Sequence, residues 1–264
     1  DRSGYSVSTA GDVNGDGYDD ILVGADYADP GGDSGAGETY VVFGSGSGFA
    51  ASLDLDTLDG SNGFRLDGID AGDRSGTSVS TAGDVNGDGY ADILVGTFFY
   101  GPGSDVDAGE TYVVFGGDFT NAVTHAGTSS ADTLTGDAAA NVIVADQGDD
   151  ILDGKGGADV LYGAEGDDVI RISDKAFARV DGGSGDDTLA LDGSGLTLDL
   201  TAIADNKLRG IEQIDITGSG DNTLILNQLE VLNLSDTSNT LVVISDSGDT
   251  SQIGDGIVFD GIIP

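Results

Sequence analysis

Residues 1–25 read DRSGYSVSTAGDVNGDGYDDILVGA, and residues 73–97 repeat this segment as DRSGTSVSTAGDVNGDGYADILVGT, with three differences. The same offset of 72 residues carries AGETYVVFG at 36–44 onto an identical segment at 108–116. A repeat of this length without insertions indicates that the first part of the chain is built from duplicated structural units.

Each unit contains short runs rich in β-branched and aromatic residues that alternate with clusters of Gly and Asp. This pattern is typical of strands and tight turns. YSVSTAG, DILVGA and ETYVVFG supply three strands, and GFRLDG at 63–68 supplies a fourth. Four strands per unit predict blades of a β-propeller. The second unit is expected to lack its fourth strand, because the sequence changes character after Phe119.

Both units carry the motif D-x-N-x-D-G-x-x-D, at 12–20 and at 84–92. Oxygen atoms at alternate positions of such a loop can converge on one hard cation, which is the chemistry of Ca²⁺. The loop is not an EF-hand, because Val23 and Val95 stand where that motif needs Glu, and strands flank it. A single copy also fits an Asx-rich turn, whereas two equivalent copies favour calcium. The predicted ligands are Asp12, Asn14, Asp16, the Tyr18 carbonyl and Asp20, and then Asp84, Asn86, Asp88, the Tyr90 carbonyl and Asp92.

Residues 1–119 resemble the FG-GAP repeat family, whose calcium-loop blades occur in integrin α-subunit propellers and in many large bacterial surface proteins. The resemblance implies a blade that binds Ca²⁺ in the loop between its first two strands. Two units are too few for a closed propeller, which needs about 4 to 8 blades. Either further blades lie outside this chain, or the units stack differently.

A nine-residue period begins after a boundary at 120–126. Each nonamer is a Gly-rich turn followed by a short strand, so successive turns alternate between two edges of a parallel β-roll and stacked turns lie two nonamers apart. The alternative is a flexible glycine-rich linker, which five nonamers in register disfavour. The nonamers read GTSSADTLT from 127, GDAAANVIV from 136, ADQGDDILD from 145, GKGGADVLY from 154 and GAEGDDVIR from 163, with GGSGDDTLA from 182 after an interruption.

These turns supply a second set of candidate ligands, because carboxylates of one turn and backbone carbonyls of its neighbours can cage Ca²⁺ between rungs. The predicted ligands are Asp132, Asp150 and Asp168 on one edge, Asn141 and Asp159 on the other, and Asp187, which lies nineteen residues after Asp168 and so predicts an irregular rung. The core is expected to contain Val142, Ile151, Val160 and Val169, or the apolar residues just after them.

Residues 127–190 specifically, and 191–250 more loosely, resemble the RTX calcium-binding repeats of secreted bacterial proteins. The resemblance implies unfolded export through a type I pathway and folding on contact with external calcium. Beyond the nonamers, short apolar segments continue as LTLDL, IEQIDIT, NTLILN, LEVLNLS and TLVVIS, and all are predicted to be strands. The predicted fold is all-β, with β-propeller-type blades followed by a parallel β-roll or β-solenoid. Its segments are two FG-GAP-like blades at 1–119, an RTX β-roll at 120–190 and a degenerate solenoid at 191–264.

The composition restricts the partners. Acidic side chains number 48 against 9 basic ones, for a formal net charge of -39, and nearly all the acids are Asp. Such a polyanion repels nucleic acid and anionic membranes, so small cations are the expected partners. No apolar run approaches the roughly 20 residues of a membrane span, so membrane insertion is not expected. Disorder is the alternative that this charge leaves open unless a divalent cation neutralises the acids.

Signals for catalysis are weak. His125, the only histidine, lies in the segment AVTHAG between the two repeat types, and the conspicuous carboxylates are assigned to metal. The chain is therefore predicted not to be an enzyme. The aromatic run 98–100 predicts either packing against a neighbouring blade or a contact surface for a protein or glycan.

The sequence thus predicts a structural or adhesive module that binds several Ca²⁺ ions and belongs to a secreted or cell-surface bacterial protein. The chain opens in mid-motif at Asp1 and is expected to be a piece of a longer protein. We expect it to fold outside the cell and to assemble into a surface layer, matrix or filament. Its expected partners are further copies of itself or cell-surface and matrix glycans or proteins. Two alternatives remain, a non-catalytic accessory region of a secreted hydrolase and a glycan- or protein-binding propeller head.

Overall fold

The computed structural model describes residues 1–98, 109–235 and 240–254. It forms two compact units, one made of residues 1–86 and 90–122, the other of residues 87–89 and the chain from Val123 onward. The described parts are almost entirely strand and turn, which confirms the all-β prediction. Within them, no helix is both long enough and apolar enough to cross a membrane.

The first blade is an antiparallel meander of four strands, and its fourth strand confirms the one predicted at 63–68. The β1–β2 pair contains a register shift between Thr9 and Gly11, immediately before the first candidate calcium loop. Short 3-10 turns lie at Pro30–Gly32 and Leu55–Thr57. The strands are β1 (Ser6–Gly11), β2 (Asp20–Ala25), β3 (Glu38–Val42) and β4 (Gly63–Asp67).

The second blade has three strands, β5 (Ser78–Gly83), β6 (Asp92–Thr97) and β7 (Glu110–Val114), in the same antiparallel order. The expected loss of the fourth strand is confirmed among the described residues. The two blades share one apolar core, in which Leu22 and Val41 of the first blade pack with Ile93 and Val95 of the second. The blades therefore stack face to face, as blades of a propeller do.

The second unit begins as a two-sheeted parallel roll, as the nonamers predict. Strands β8, β10, β12 and β14 form one sheet, and β9, β11, β13 and β15 form the other. Val142 pairs with Val160 and Ile151 with Val169, so stacked strands are eighteen residues apart. The strands are β8 (His125–Ala126), β9 (Thr133–Thr135), β10 (Val142–Val144), β11 (Ile151–Asp153), β12 (Val160–Glu165), β13 (Val169–Ile172), β14 (Arg179–Ser184) and β15 (Thr188–Leu191).

The interruption after β13 adds one residue to the repeat without breaking the ladder. Val160 pairs with Arg179 and Val169 with Thr188, which is a nineteen-residue step in both sheets. The extra residue is absorbed in the turn between Ile172 and Arg179, so the strands stay in register.

The core of the roll is formed by the apolar residues that directly follow the first predicted set, which was the second possibility given by the sequence. Ile143, Leu152, Leu161 and Ile170 are fully buried, one from each strand. Each follows directly after one of the residues Val142, Ile151, Val160 and Val169, and side chains alternate between the two faces of a strand.

The far end of the roll has longer rungs and a third sheet. Strands β16 (Thr197–Asp199), β19 (Thr223–Leu226) and β21 (Thr250–Ile253) form this sheet. Strand β17 (Leu208–Arg209) extends the first sheet, while β18 (Gln213–Asp215) and β20 (Val242–Ile244) extend the second. All pairings are parallel, with steps of 25 to 29 residues. Solenoid stacking therefore continues after the nonamers end.

One predicted strand is wrong, because LEVLNLS forms the helix α1 (Gln228–Leu234). The Asn227 side chain caps it by accepting hydrogen bonds from the backbone N–H groups of Leu229 and Glu230. An N-cap of this kind satisfies donors that a short helix otherwise leaves unpaired. Leu234 is buried and Val231, one helical turn earlier, packs against the core, so the apolar spacing is helical rather than alternating.

Candidate calcium sites

The first blade loop brings three of its predicted ligands together. The backbone N–H of Asp16 donates to Asp12 Oδ1 at 3.0 Å and to Asn14 Oδ1 at 3.2 Å, and the Asn14 amide donates to Asp16 Oδ2 at 3.0 Å. Asp12 and Asn14 are buried. The Tyr18 ring is exposed, while its backbone N–H donates to Asp16 Oδ1. Three short oxygen-bearing side chains thus meet in one tight turn.

Asp20 closes this loop from the start of β2. Its Oδ2 accepts from the backbone N–H of Val13 at 2.8 Å, and its Oδ1 accepts from that of Gly44 at 2.8 Å. Burial, with smaller contributions from the carboxylates of Asp12 and Asp16, raises the pKa of Asp20 to about 7, against the lowering effect of the two hydrogen bonds. A cation bound in the loop would favour the ionised form of this carboxylate.

The second blade loop repeats the closing contact. Asp92 is fully buried, its Oδ2 accepts from Val85 N–H at 2.9 Å, and its Oδ1 accepts from Gly116 N–H at 2.8 Å. Asp84 is exposed, unlike its buried equivalent Asp12. Asn86 and Tyr90 belong to the first unit and are partly buried, and Asp88 is grouped with the second unit.

In the roll, each ladder carboxylate ties one turn to the next. Asp132 N–H donates to Asp150 Oδ1 at 2.6 Å, Asp150 N–H to Asp168 Oδ1 at 2.7 Å, and Asp168 N–H to Asp187 Oδ1 at 2.8 Å. Asp132, Asp150 and Asp168 therefore lie along one edge, as expected, and Asp187 continues this edge across the nineteen-residue step. On the other edge, Asn141 N–H donates to Asp159 Oδ1 at 2.9 Å.

The second oxygen of these carboxylates is the feature that fits a metal. Oδ2 of Asp150, Asp168 and Asp187 is buried and makes no hydrogen bond within the described structure. A buried carboxylate oxygen without a partner is costly, unless a cation balances it.

Glycines open the space beside these oxygens. A Cβ added at Gly163 would overlap both Asp168 Oδ2 and the carbonyl oxygen of Gly182 in the next turn. At Gly182, a Cβ would overlap the Gly210 carbonyl and lie 2.6 Å from Asp187 Oδ2. A carboxylate oxygen and a peptide carbonyl from successive turns thus converge on a space that only glycine leaves open. We call this arrangement a cradle.

The other edge of the roll has weaker versions of the cradle. A Cβ at Gly154 would lie 2.6 Å from Asp159 Oδ2. At Gly136, it would overlap Asn141 Oδ1 and lie 3.1 Å from the Gly154 carbonyl, but an amide brings no charge. Asp132 also departs from the pattern, because it is only partly buried and its Oδ2 accepts hydrogen bonds from Thr128.

The ladder carboxylates also have raised pKa values. Burial, with a smaller contribution from carboxylates in adjacent turns, raises the pKa of Asp168 to about 7 and that of Asp187 to about 8. Burial also raises the pKa of Asp150 and Asp159. The ladder therefore holds stacked carboxylates that a divalent cation would stabilise in their ionised form.

Three further residues continue the ladders and were missed by the sequence analysis. Asp187 N–H donates to Glu212 Oε2 at 3.0 Å. In the third sheet, Leu196 N–H donates to Asn222 Oδ1 and Asn222 N–H to Asp249 Oδ1, both at 2.8 Å. Each acceptor directly precedes a strand, as in the nonamers. This position relative to the strand is a signal in the sequence, but the irregular spacing of the rungs hides it.

Two other predicted features have different outcomes. His125 lies in β8, the first rung of the roll, and not in a linker as predicted; its ring contacts Thr124 Oγ1. Phe98 is exposed, and the remainder of its aromatic run lies outside the described residues.

No group of three or more His, Cys, Asp or Glu side chains converges in a metal-site arrangement within residues 1–98, 109–235 and 240–254. The cradles do not need such a group, because each combines one carboxylate with peptide carbonyls, and hard cations such as Ca²⁺ accept both ligands. The fold and the oxygen-rich turns define a calcium-binding β-repeat module.

Family comparisons agree with this class. The FG-GAP repeat family matches residues 3–42 and 75–114, and the RTX calcium-binding nonapeptide repeat family matches 126–161, 145–171 and 179–193. The chain therefore contains FG-GAP repeats followed by RTX calcium-binding nonapeptide repeats. Repeats of these types are non-catalytic and indicate a calcium-binding extracellular module.

Curated relatives match the blade region. Integrin alpha-PS2 of Drosophila melanogaster is 38% identical over 103 residues, and integrin alpha pat-2 of Caenorhabditis elegans is 38% identical over 99 residues. These matches cover 38% and 37% of this chain and 7% of each relative. Phosphatidylinositol-glycan-specific phospholipase D of Bos taurus is 35% identical over 116 residues, which is 44% of this chain and 13% of that protein.

Proposed function

We propose that the chain is a calcium-dependent structural module of a secreted or cell-surface bacterial protein, which folds when Ca²⁺ binds outside the cell. The observation that carries the proposal is the set of cradles, in which an unpartnered, buried carboxylate oxygen and a peptide carbonyl meet beside a glycine. Calcium bound there would join successive turns of the roll through ligands that the backbone alone cannot neutralise.

The proposed ligands fall into two groups. The roll sites use the unpartnered Oδ2 atoms of Asp150, Asp168 and Asp187, and Asp132, Asn141 and Asp159 complete the two ladders. The blade loops use the side chains and carbonyls predicted from their motif. These are Asp12, Asn14, Asp16, Tyr18 and Asp20 in the first blade, and Asp84, Asn86, Asp88, Tyr90 and Asp92 in the second.

The charge of the chain supports a folding switch. At a formal net charge of -39 the metal-free chain repels itself, and each bound Ca²⁺ removes two units of that charge. Extracellular calcium modules typically bind with Kd values of about 10⁻⁴ to 10⁻³ M, so sites of this type stay empty at cytosolic calcium levels. Binding free energy then becomes folding free energy only after export, for which a type I pathway is the proposed route.

The proposed segments are the blades at 1–119, the RTX roll at 120–190 and the solenoid continuation at 191–264. The last segment is expected to depend less on calcium than the roll, because its ladder uses an amide as well as an acidic side chain. The blades are also expected to depend less on calcium than the roll. The proposed larger role is assembly into a surface layer, matrix or filament.

A calcium titration tests the proposal. Far-UV circular dichroism and light scattering are recorded on the chain as Ca²⁺ is added from excess chelator, with Mg²⁺ as the control cation. We expect strand signal to appear with calcium and not with equal magnesium. A chain that is equally folded in chelator, with no change in spectrum or size, would contradict the proposal.

The likeness to the phospholipase favours one alternative, a non-catalytic accessory region of a secreted hydrolase. A catalytic motif elsewhere in the parent polypeptide would support it. If removal of this region from such a parent left turnover unchanged and altered only its calcium requirement or localisation, the accessory role would be established.

A further inference from the structure

The two blade loops that carry the calcium motif contact each other directly. The backbone N–H of Ala91, in the second loop, donates to the carbonyl oxygen of Asp12, in the first loop, at 3.0 Å. A Cβ added at Gly11 would lie 2.6 Å from the Cβ of Ala91, and one added at Gly15 would lie 2.6 Å from the ring of Tyr90. Glycines in and beside the first loop therefore allow the second loop to approach closely.

The Ala91 N–H belongs to the same peptide group as a proposed calcium ligand. This group joins the carbonyl of Tyr90, a proposed ligand of the second loop, to the N–H of Ala91. A peptide group is planar and almost always trans, so its carbonyl and its N–H point in opposite directions. A cation that holds the Tyr90 carbonyl therefore also fixes the direction of the hydrogen bond to Asp12.

The next peptide group continues the connection into the first loop. It joins the Asp12 carbonyl to the N–H of Val13, which donates to Asp20 Oδ2 at 2.8 Å. Asp20 is buried and is a proposed ligand of the first loop. Two planar groups, Tyr90–Ala91 and Asp12–Val13, thus connect a ligand of the second loop to a carboxylate of the first. We call these two groups and their two hydrogen bonds the peptide link.

A second backbone contact runs beside the peptide link. Asp92, a buried proposed ligand of the second loop, accepts from the N–H of Gly116 through Oδ1 at 2.8 Å. The N–H of the following residue, Gly117, donates to the Val13 carbonyl at 2.9 Å. The proposed ligands on both sides of Ala91 are therefore connected to the same segment of the first loop.

We propose that the two blade loops bind Ca²⁺ with positive cooperativity and that the peptide link couples them. An ion in one loop orders the peptide link, so the other loop loses less conformational freedom when it binds its own ion. The effect is reciprocal, because the coupling free energy between two binding sites is the same in both directions. The inference rests on the calcium ligands given under the proposed function, and it adds a form of regulation to those sites.

The sign of the coupling separates the peptide link from simple electrostatics. Asp84→Ala removes an exposed side chain of the second loop and should prevent calcium binding there. Loss of a divalent cation together with one carboxylate makes the surroundings one charge unit more negative, which alone would strengthen calcium binding in the first loop. The peptide link predicts the opposite result, weaker binding in the first loop.

Amide NMR of the full chain during a calcium titration in about 0.15 M salt follows the two loops separately. The N–H groups of Gly17 and Val85, which donate to loop carboxylates, report the first and second loops. Asp84→Ala should abolish the response of the second loop and raise the calcium midpoint of the first by about fivefold or more. Asp16→Ala should have the reverse effect, by a similar factor. Asp33→Ala, exposed and outside both loops, is the control and should change neither midpoint.

Ala91→Pro tests the peptide link itself, because it removes the N–H that donates to Asp12. In this background, Asp84→Ala should no longer change the midpoint of the first loop, whereas Ala91→Gly keeps the N–H and should preserve the coupling. Coupling that survives Ala91→Pro in a folded chain would overturn the proposal. If Ala91→Pro does not fold, the single variants still decide, since an unchanged or lowered first-loop midpoint in Asp84→Ala would overturn it, as would a first loop that does not respond to calcium.

Amides of the roll in the same spectra separate this outcome from failure of the proposed function. If Ile170 responds to calcium while the two loops bind independently, the coupling alone is overturned. If the roll amides do not respond to calcium, the folding role is contradicted, whatever the blade loops do.

Discussion

The blade pair and the roll both contain Asp- and Gly-rich turns, but they use their carboxylates differently. In the blades, both oxygens of Asp20 and of Asp92 accept backbone hydrogen bonds, and the core lies between two packed sheets. In the roll, one oxygen of Asp168 joins two turns while the other has no partner, and each rung adds about one large side chain to the core. Calcium should therefore stabilise the roll more than the blades.

Removing calcium should give the largest difference between the two regions. One site at a free calcium concentration of 100 Kd contributes about 2.7 kcal/mol, so loss of the two cradles beside Gly163 and Gly182 should destabilise the roll by roughly 5 kcal/mol. Hydrogen exchange with excess chelator should show loss of amide protection at Leu152, Leu161 and Ile170, with smaller losses at Leu22 and Val41. Equal losses of amide protection in the blades and in the roll would contradict the expectation that calcium stabilises the roll more than the blades.

Filling one cradle should have the next largest effect. In Gly163→Ala, the new methyl group would overlap Asp168 Oδ2 and a backbone carbonyl, so we expect a loss of roughly 3 kcal/mol in calcium. Gly117→Ala is the matched control, since a Cβ there meets nothing within 4 Å and should change stability by less than about 0.5 kcal/mol. Thermal unfolding with saturating calcium measures both, and similar losses would argue against the cradle.

Replacing one carboxylate by an amide should separate the two uses of Asp. Asp168→Asn should lower the stability of the roll by about 2 to 3 kcal/mol in calcium and cause no further loss in chelator, where removal of a buried charge is favourable. Asp20→Asn should destabilise the first blade by about 1 to 3 kcal/mol even in chelator, because it loses an acceptor for Val13 or Gly44. Denaturant unfolding in both conditions is the measurement. A loss in chelator for Asp168→Asn would show that this side chain acts only as a hydrogen-bond brace.

The smallest effect is expected where the roll depends least on calcium. Asn227→Ala removes the cap of α1 and should lower the stability of this helix by about 1 kcal/mol. The loss should be the same in calcium and in chelator, because this end of the chain has no cradle among the described residues. Asn227→Ser, which keeps a capping oxygen, is the control. Amide hydrogen exchange in α1 measures the effect of both variants. A loss of protection seen only with calcium would show that this end of the chain depends on calcium as the roll does.

The sequence predicted the main elements because local patterns determine them. The nonamer period gave the stacking and the edge shared by Asp150 and Asp168. The alternation within a strand could not decide whether Val142 or Ile143 faces the core, because that depends on how the turns orient the strand. LEVLNLS was assigned wrongly because the Asn227 cap and the helical spacing outweighed the local preference for strand.

Other features required the three-dimensional structure. Glu212, Asn222 and Asp249 continue the ladders at irregular spacing, so no period reveals them. The different exposure of Val41, which is buried, and Val113, which is exposed, could not be foreseen, since both stand in identical segments and differ only in what packs on them.

Anomalous X-ray scattering from crystals of the chain grown with calcium tests the central claim most directly. The account predicts a calcium peak in the cradle beside Gly163, about 2.3 to 2.6 Å from both Asp168 Oδ2 and the Gly182 carbonyl oxygen. Corresponding peaks should follow along the ladder at Asp187. A folded roll with no anomalous peak at these carboxylates, or with calcium bound only to exposed acids, would contradict it.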